Sequence, residues 1–300
     1  MRRHLMAILI LLWVAGPALA KLEVVTTTTD LADAAREVGG ARVKVQAIAP
    51  GYQDPHQVET KPSYLTLLKA ADVFVMTGLD LEVAWAPDLL RNCRNARIQP
   101  GGAGFMDSSQ GIKVLQKPQG QVDRSGGDVH PQGNPHYTLS PTNQKVVARN
   151  ITALLKRVDP AGSKVYDDGY RAYWKKLDEA DKRWRKMLEP IKGTPVVTYH
   201  NTWPYFAEHF GLKVVGNVEP QPGISPSAAH LNQLADSMKR QGVKVIIMEP
   251  WFPDHIPQSL ARKTGATVLK LPVIPGGVDG TGTYLHMMDY IVKQLLAAAR

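Results

Sequence analysis

Two series of short β-rich runs alternating with helical stretches, separated by one long amphipathic pattern, restrict this chain to a two-lobed α/β architecture. The first series reads LEVVTT, DLADAAREV, VKVQAI, YLTLLKAA and VFVMTG within residues 22–98. The second restarts at Pro195 with VVTY, WPYFAEHF, KVVGNV, LNQLADSMKRQ, VKVIIMEP, a helix around Gln258–Thr264, VLKLPV and a closing helix near Tyr284–Ala299. Alternation of this kind builds a mainly parallel sheet flanked by helices. Between the series, Val165, Tyr170, Tyr173, Trp174, Leu177, Trp184 and Leu188 are interleaved at helical spacing with many charges over Lys164–Leu188. A straight helix of that length extends roughly 37 Å at about 1.5 Å per residue, enough for a stiff strut. The spacing therefore predicts a first lobe over 21–162, one long rigid linking helix over 163–192, a second lobe over 193–300, and a ligand cleft between the lobes.

The chain starts with MRRHLMAILILLWVAGPALA: basic Arg2 and Arg3, an apolar run from Leu5 to Val14, then small residues at Ala18 and Ala20. This is the layout of a secretory signal peptide over residues 1–20, cleaved after Ala20, and the apolar run is shorter than the ~20 residues of a membrane span. The expected address is a Gram-negative periplasm, without a lipid-bearing cysteine at the mature start. Cys93 is the only cysteine, so neither an intrachain disulfide nor a thiolate metal cluster can form. The formal charge of +9 falls to +7 once Arg2 and Arg3 are removed, and its basic residues are scattered over amphipathic helices. That dispersal argues against nucleic acid as a partner.

Ligands of α/β lobes gather beyond the carboxyl ends of the parallel strands, so histidines in loops after strands carry the most information. His56 lies in APGYQDPHQVE, His136 closes a Gly-, Pro-, Gln- and Ser-rich stretch (99–135) that shows no clear periodicity, and His200 follows PVVTY. Proline before His56 and His136 holds the preceding Asp54 and Asn134 extended and stiffens each loop. Neutral imidazole suits Zn²⁺, and three histidines plus one oxygen complete a tetrahedron. Taken singly, each reads more readily as an ordinary loop or surface histidine, since no HExxH-type spacing ties them to one helical face; their shared position after strands of two lobes is what raises them. His209, His230, His255 and His286 lie in or beside amphipathic helices and read as surface or packing residues. Trp174, Trp184 and Trp203 read as interface fillers.

The segments DPHQVETKPS, NPHYTLSPTN with VVARNITALLKRVDP behind it, and VVTYHNTWPYFAEHFGL followed by VVGNVEPQPGISPSA resemble the metal-specific solute-binding proteins of ABC uptake systems, over essentially the whole mature chain. The resemblance implies that His56 and His136 are the first-lobe metal ligands and that His200 is the first ligand of the second lobe, where histidine marks zinc members and glutamate marks manganese members. It implies an aspartate from the loop before the last helix as fourth ligand. Here the familiar position falls near Gly282, and the available carboxylate is Asp279, which the neighbouring glycines could bring into range. His130 and Glu249 are auxiliary candidates, Glu249 reading also as a cap or ion pair. The implied function is a monomeric periplasmic Zn²⁺ receptor that delivers its ion to an inner-membrane ABC permease, with a zinc metallochaperone as a candidate loading partner. A manganese or iron receptor of the same type is the alternative. A secreted zinc hydrolase ranks lower, because it needs a general base beside an open coordination position and no such signature is present.

Overall fold

The computed structural model describes residues 21–120, 127 and 129–299, so the predicted signal segment lies outside the described residues. Two four-stranded sheets are present, and all their strand pairs are parallel. The first contains β1 (Leu22–Thr26), β2 (Val43–Ala47), β3 (Val73–Met76) and β4 (Phe105–Asp107) in the order β2-β1-β3-β4. The second contains β5 (Pro195–Thr198), β6 (Lys213–Asn217), β7 (Val245–Met248) and β8 (Thr267–Lys270) in the equivalent order β6-β5-β7-β8. Helices α1 (Thr29–Gly39), α2 (Pro62–Ala70), α3 (Ala86–Asn92) and α4 (Pro141–Val158) belong with the first sheet. Helices α6 (Pro204–Phe210), α7 (Ala228–Gln241), α8 (His255–Thr264) and α9 (Tyr284–Ala298) belong with the second.

The expected strut is α5 (Ser163–Leu188), one continuous helix of 26 residues. Its buried stripe, Tyr166, Tyr173, Leu177, Ala180, Trp184 and Leu188, repeats at the three- and four-residue steps of a helical face. That stripe joins a single hydrophobic cluster reaching from Val24 and Leu31 in the first lobe to Met288 and Ile291 in the second. Trp184 and Trp203 fill interfaces as expected, but Trp174 departs from its reading. It is 42% exposed and lies outside the core, with the ammonium of Lys145 from α4 4.4 Å above its ring.

The stretch 99–135 also holds an element that the sequence pattern does not show. Phe105–Asp107 forms β4, hydrogen-bonded in parallel to β3. Three residues are too few to display an alternation, and the strand exists because the open edge of β3 supplies its partners.

After β3 the chain makes a tight turn in which Gly78, Leu79 and Asp80 all have positive φ (81°, 52° and 64°). Left-handed backbone is unfavourable for Leu and Asp and persists where the surroundings over-determine it. Here the fully buried Glu82 does so, accepting hydrogen bonds from Thr27 Oγ1 (2.6 Å) and from the backbone N–H groups of Thr77 (2.7 Å) and Gly78 (3.1 Å). Burial pushes the Glu82 carboxyl up from 4.5 to about 7 against those hydrogen bonds. The folded protein therefore holds a proton that the unfolded chain releases, and this group's contribution to stability declines as pH rises from about 4.5 through about 7. Urea unfolding across that window is expected to show this decline, and Glu82→Gln to flatten it; an unchanged slope in the variant refutes the assignment.

Candidate metal centre

The three histidines singled out in the sequence come together. One ring nitrogen of each of His56, His136 and His200 lies within 4.8 Å of the other two. Their ring centroids are 5.2 Å (His56–His136), 5.2 Å (His56–His200) and 5.5 Å (His136–His200) apart. Zinc–nitrogen bonds of about 2.0–2.1 Å set tetrahedral neighbours about 3.3 Å apart, so rotation of the rings suffices to close the group on an ion.

Each histidine is presented by a local device. Asp54-Pro55-His56 and Asn134-Pro135-His136 are the same turn built twice. The side-chain oxygen two residues ahead accepts the histidine's backbone N–H, at 2.9 Å in the first and 3.0 Å in the second. The two turns then diverge. Asp54 Oδ1 also lies 2.7 Å from His56 Nδ1, whereas Asn134 donates its amide to Asn201 O at 2.8 Å, tying its turn to the residue after His200. Tyr205, from α6, donates its hydroxyl to Asn134 O at 2.8 Å. His200 follows β5, where Thr198 Oγ1 sits 2.9 Å from His200 O and 2.7 Å from Asn217 Oδ1. His200 Nδ1 lies 2.8 Å from Glu219 Oε2.

These partners sort the ring nitrogens. A carboxylate on Nδ1 of His56 and of His200 stabilises the Nδ1–H tautomer and turns the Nε2 lone pair outward. Among the described residues His136 has no such partner, and its Nε2 is buried without a hydrogen bond. An unsatisfied buried nitrogen facing two other imidazoles is the donor atom that a metal ion would satisfy. Burial first, then the neighbouring His56, His200 and His130, hold the His136 imidazole well below its ordinary titration range, so it stays neutral. For His200 burial also opposes the cation, but Glu219, Glu249 and Asp54 outweigh it and raise the group above its ordinary value. Burial likewise pushes the Asp54 carboxyl up, and its contacts with His56 reverse the direction to a net lowering.

The remaining candidates separate. His130 Nε2 lies 3.3 Å from His56 Nε2, beside a cleft of about 210 Å³ also lined by Asp80 and Val83, and it stands outside the three-histidine group. Glu249, fully buried after β7, accepts from Trp203 Nε1 at 3.0 Å while its other oxygen has no hydrogen-bond partner among the described residues. Burial pushes its carboxyl up to about 7, against the attraction of nearby His200. It too lies outside the group. Asp279 does not approach: it is exposed, and the loop's glycines serve another purpose than carrying it inward. Gly276 N donates to Thr281 O and Thr281 N to Val278 O, curling 276–281 so that Thr281 is buried and Asp279 faces out. The backbone of Pro275–Gly277 packs so tightly on Gly51 that a Cβ at residue 51 would lie 2.2 Å from Pro275 O.

Sequence reasoning missed Glu219 and the role of Asp54. The repeated Asx-Pro-His signalled Asp54. Nothing local signalled Glu219, which reaches His200 only because β6 pairs with β5 and brings the loop after one strand beside the loop after the other.

Three histidines from loops of two parallel-sheet lobes converge into a group that could hold a metal ion. The chain belongs to the family described as ZnuA, zinc-uptake complex component A periplasmic, whose model matches residues 24–298, and so to the metal-specific solute-binding receptors of ABC uptake systems, which are not enzymes. It is 27% identical over 259 residues to the high-affinity zinc uptake system protein ZnuA of Bacillus subtilis (strain 168), covering 85% of this chain and 79% of that protein. It is 24% identical over 284 residues to the manganese ABC transporter substrate-binding lipoprotein PsaA of Streptococcus anginosus, covering 92% of this chain and 88% of that protein. The crystal structure of a ZnuA superposes with a TM-score of 0.78 at 25% identity, covering 93% of this chain and all of that one. Among the described residues no helix is long and apolar enough to cross a membrane.

Proposed function

We propose that this receptor captures Zn²⁺ in the periplasm through His56, His136 and His200 and delivers it to an ABC permease, the lobes 21–162 and 193–300 flanking the strut over 163–192. The observation that carries the metal assignment is the composition of the group: three imidazoles and no carboxylate. Nitrogen donors favour Zn²⁺, whereas Mn²⁺ prefers carboxylate and water and stands lowest in the affinity order of the first-row dications. The relative named as a high-affinity zinc uptake protein supports the same choice, and the relative named for manganese supplies the competing one. His130, at the cleft beside His56, is positioned to meet an ion on its way in.

The chemistry is binding without turnover. The ion displaces the proton that Glu219 helps His200 to hold, so binding releases protons and weakens as pH falls through His200's raised titration. Calorimetry of the metal-free protein is expected to show one Zn²⁺ per chain, bound on the order of 100-fold or more tighter than Mn²⁺. Equal affinities would overturn the zinc assignment and favour the manganese reading.

A further inference from the structure

A dication surrounded by neutral imidazoles in a buried site leaves two positive charges unbalanced, which is costly away from water. A ligating carboxylate is the usual remedy, and Asp279, the residue expected to supply it, is exposed and outside the group. Two other carboxylates stand one imidazole away. Glu219, 8% exposed, reaches His200 Nδ1 at 2.8 Å, and Asp54 reaches His56 Nδ1 at 2.7 Å. Among the described residues Glu219 has no lysine or arginine ion-pair partner. Among those residues its one ion pair is with His200, and the carboxylate's other hydrogen bond is a long one from Gly223 N at 3.4 Å. A carboxylate buried in this way is balanced only when the imidazole it touches carries a proton or a metal. Asp54, whose side chain is 22% exposed, stands in the same relation to His56, and the two carboxylates together match the charge of one dication.

We infer that Glu219 and Asp54 supply the charge balance that a ligating carboxylate would give, so that Glu219 is a positioning residue for the ion and Asp279 contributes nothing to affinity. The inference rests on the metal-receptor reading above. Its consequence is that the second lobe holds the ion through a paired unit, His200 with Glu219 behind it. The unit spans the adjacent strands β5 and β6 and does not involve the loop before α9.

The test compares Zn²⁺ affinities of the full mature protein and its variants by competition with a chromophoric chelator. Glu219→Gln, which keeps the shape and removes the charge, is expected to weaken binding about 10- to 100-fold at unchanged one-to-one stoichiometry. Glu219→Asp, which keeps the charge, recovers part of that loss, and Asp279→Ala binds as wild type. Two readouts separate positioning from a general structural role. The metal-free melting temperature of Glu219→Gln should stay near wild type, while the visible absorption bands of its Co²⁺ complex shift. Wild-type affinity in Glu219→Gln, or a loss in Asp279→Ala equal to that in Glu219→Gln, overturns the inference. If Glu219→Gln does not fold, Asp54→Asn and Asp279→Ala decide it by the same comparison. Wild-type protein that binds no Zn²⁺ refutes the receptor reading itself, whereas normal wild-type binding with an unaffected Glu219→Gln refutes only the charge assignment.

Discussion

His136→Ala is expected to lower Zn²⁺ affinity by more than about 100-fold, beyond the range of partner-residue losses, while leaving the metal-free protein no less stable than wild type to within about 1 kcal/mol. The two halves of this result have one cause. His136 Nε2 is buried with no hydrogen-bond partner among the described residues, and burial together with three neighbouring histidines keeps the ring neutral. Such a group contributes nothing through hydrogen bonding to the empty protein, and removing an unsatisfied polar atom relieves its desolvation penalty. To the ion it contributes one of three nitrogen donors. Chelator competition measures the first half and thermal melting of metal-free protein the second. A variant that keeps tight binding shows that the third donor lies elsewhere, and one that loses several kcal/mol of metal-free stability shows that His136 is held by contacts other than those described.

The two-lobed architecture, the strut and the three histidines were legible because each rests on a pattern with a short physical range. Alternating β and α runs, a helical pattern in which Tyr173, Leu177, Trp184 and Leu188 prove to be the buried members, and loop positions after strands all declare themselves within about 25 residues. What was not legible depends on pairings between distant segments. Glu219 meets His200 through the β5–β6 ladder, and β4 is a strand only because β3 lies open beside it. Trp174 and Trp184 occupy the same helix with similar surroundings in sequence, and only the packing of α4 and α9 decides that one is covered by a lysine and the other by a core. Asp279 stands outside the three-histidine group for a related reason. Its glycines were read as freedom to move inward, whereas the curl from Gly276 to Thr281 and the approach to Gly51 use that freedom to turn the carboxylate out.

Trp184→Ala should be the most damaging single change to the strut, destabilising the protein by about 3–5 kcal/mol, as expected for deleting a fully buried aromatic. Trp184 is fully buried in the cluster that both lobes share, and its indole N–H donates to Asp289 Oδ1 of α9 at 2.5 Å. Asp289 keeps its ion pair with Arg183 at 2.7 Å, so the loss is one of packing more than of a stranded charge. Trp184→Phe, which keeps most of the ring, should lose only about 1–2 kcal/mol, and Trp174→Ala, at a 42% exposed site, less than about 1 kcal/mol. For a chain of this size 3–5 kcal/mol corresponds to a fall of roughly 10 °C in melting temperature. Ligand linkage supplies the companion measurement: Zn²⁺ at about 1,000 times its dissociation constant adds about 4 kcal/mol to any form that still presents the three histidines together. Zinc-loaded Trp184→Ala should therefore melt near metal-free wild type. If zinc restores nothing, the strut is needed to hold His200 against His56 and His136; if the variant melts as wild type without zinc, the shared cluster does not carry the stability assigned to it.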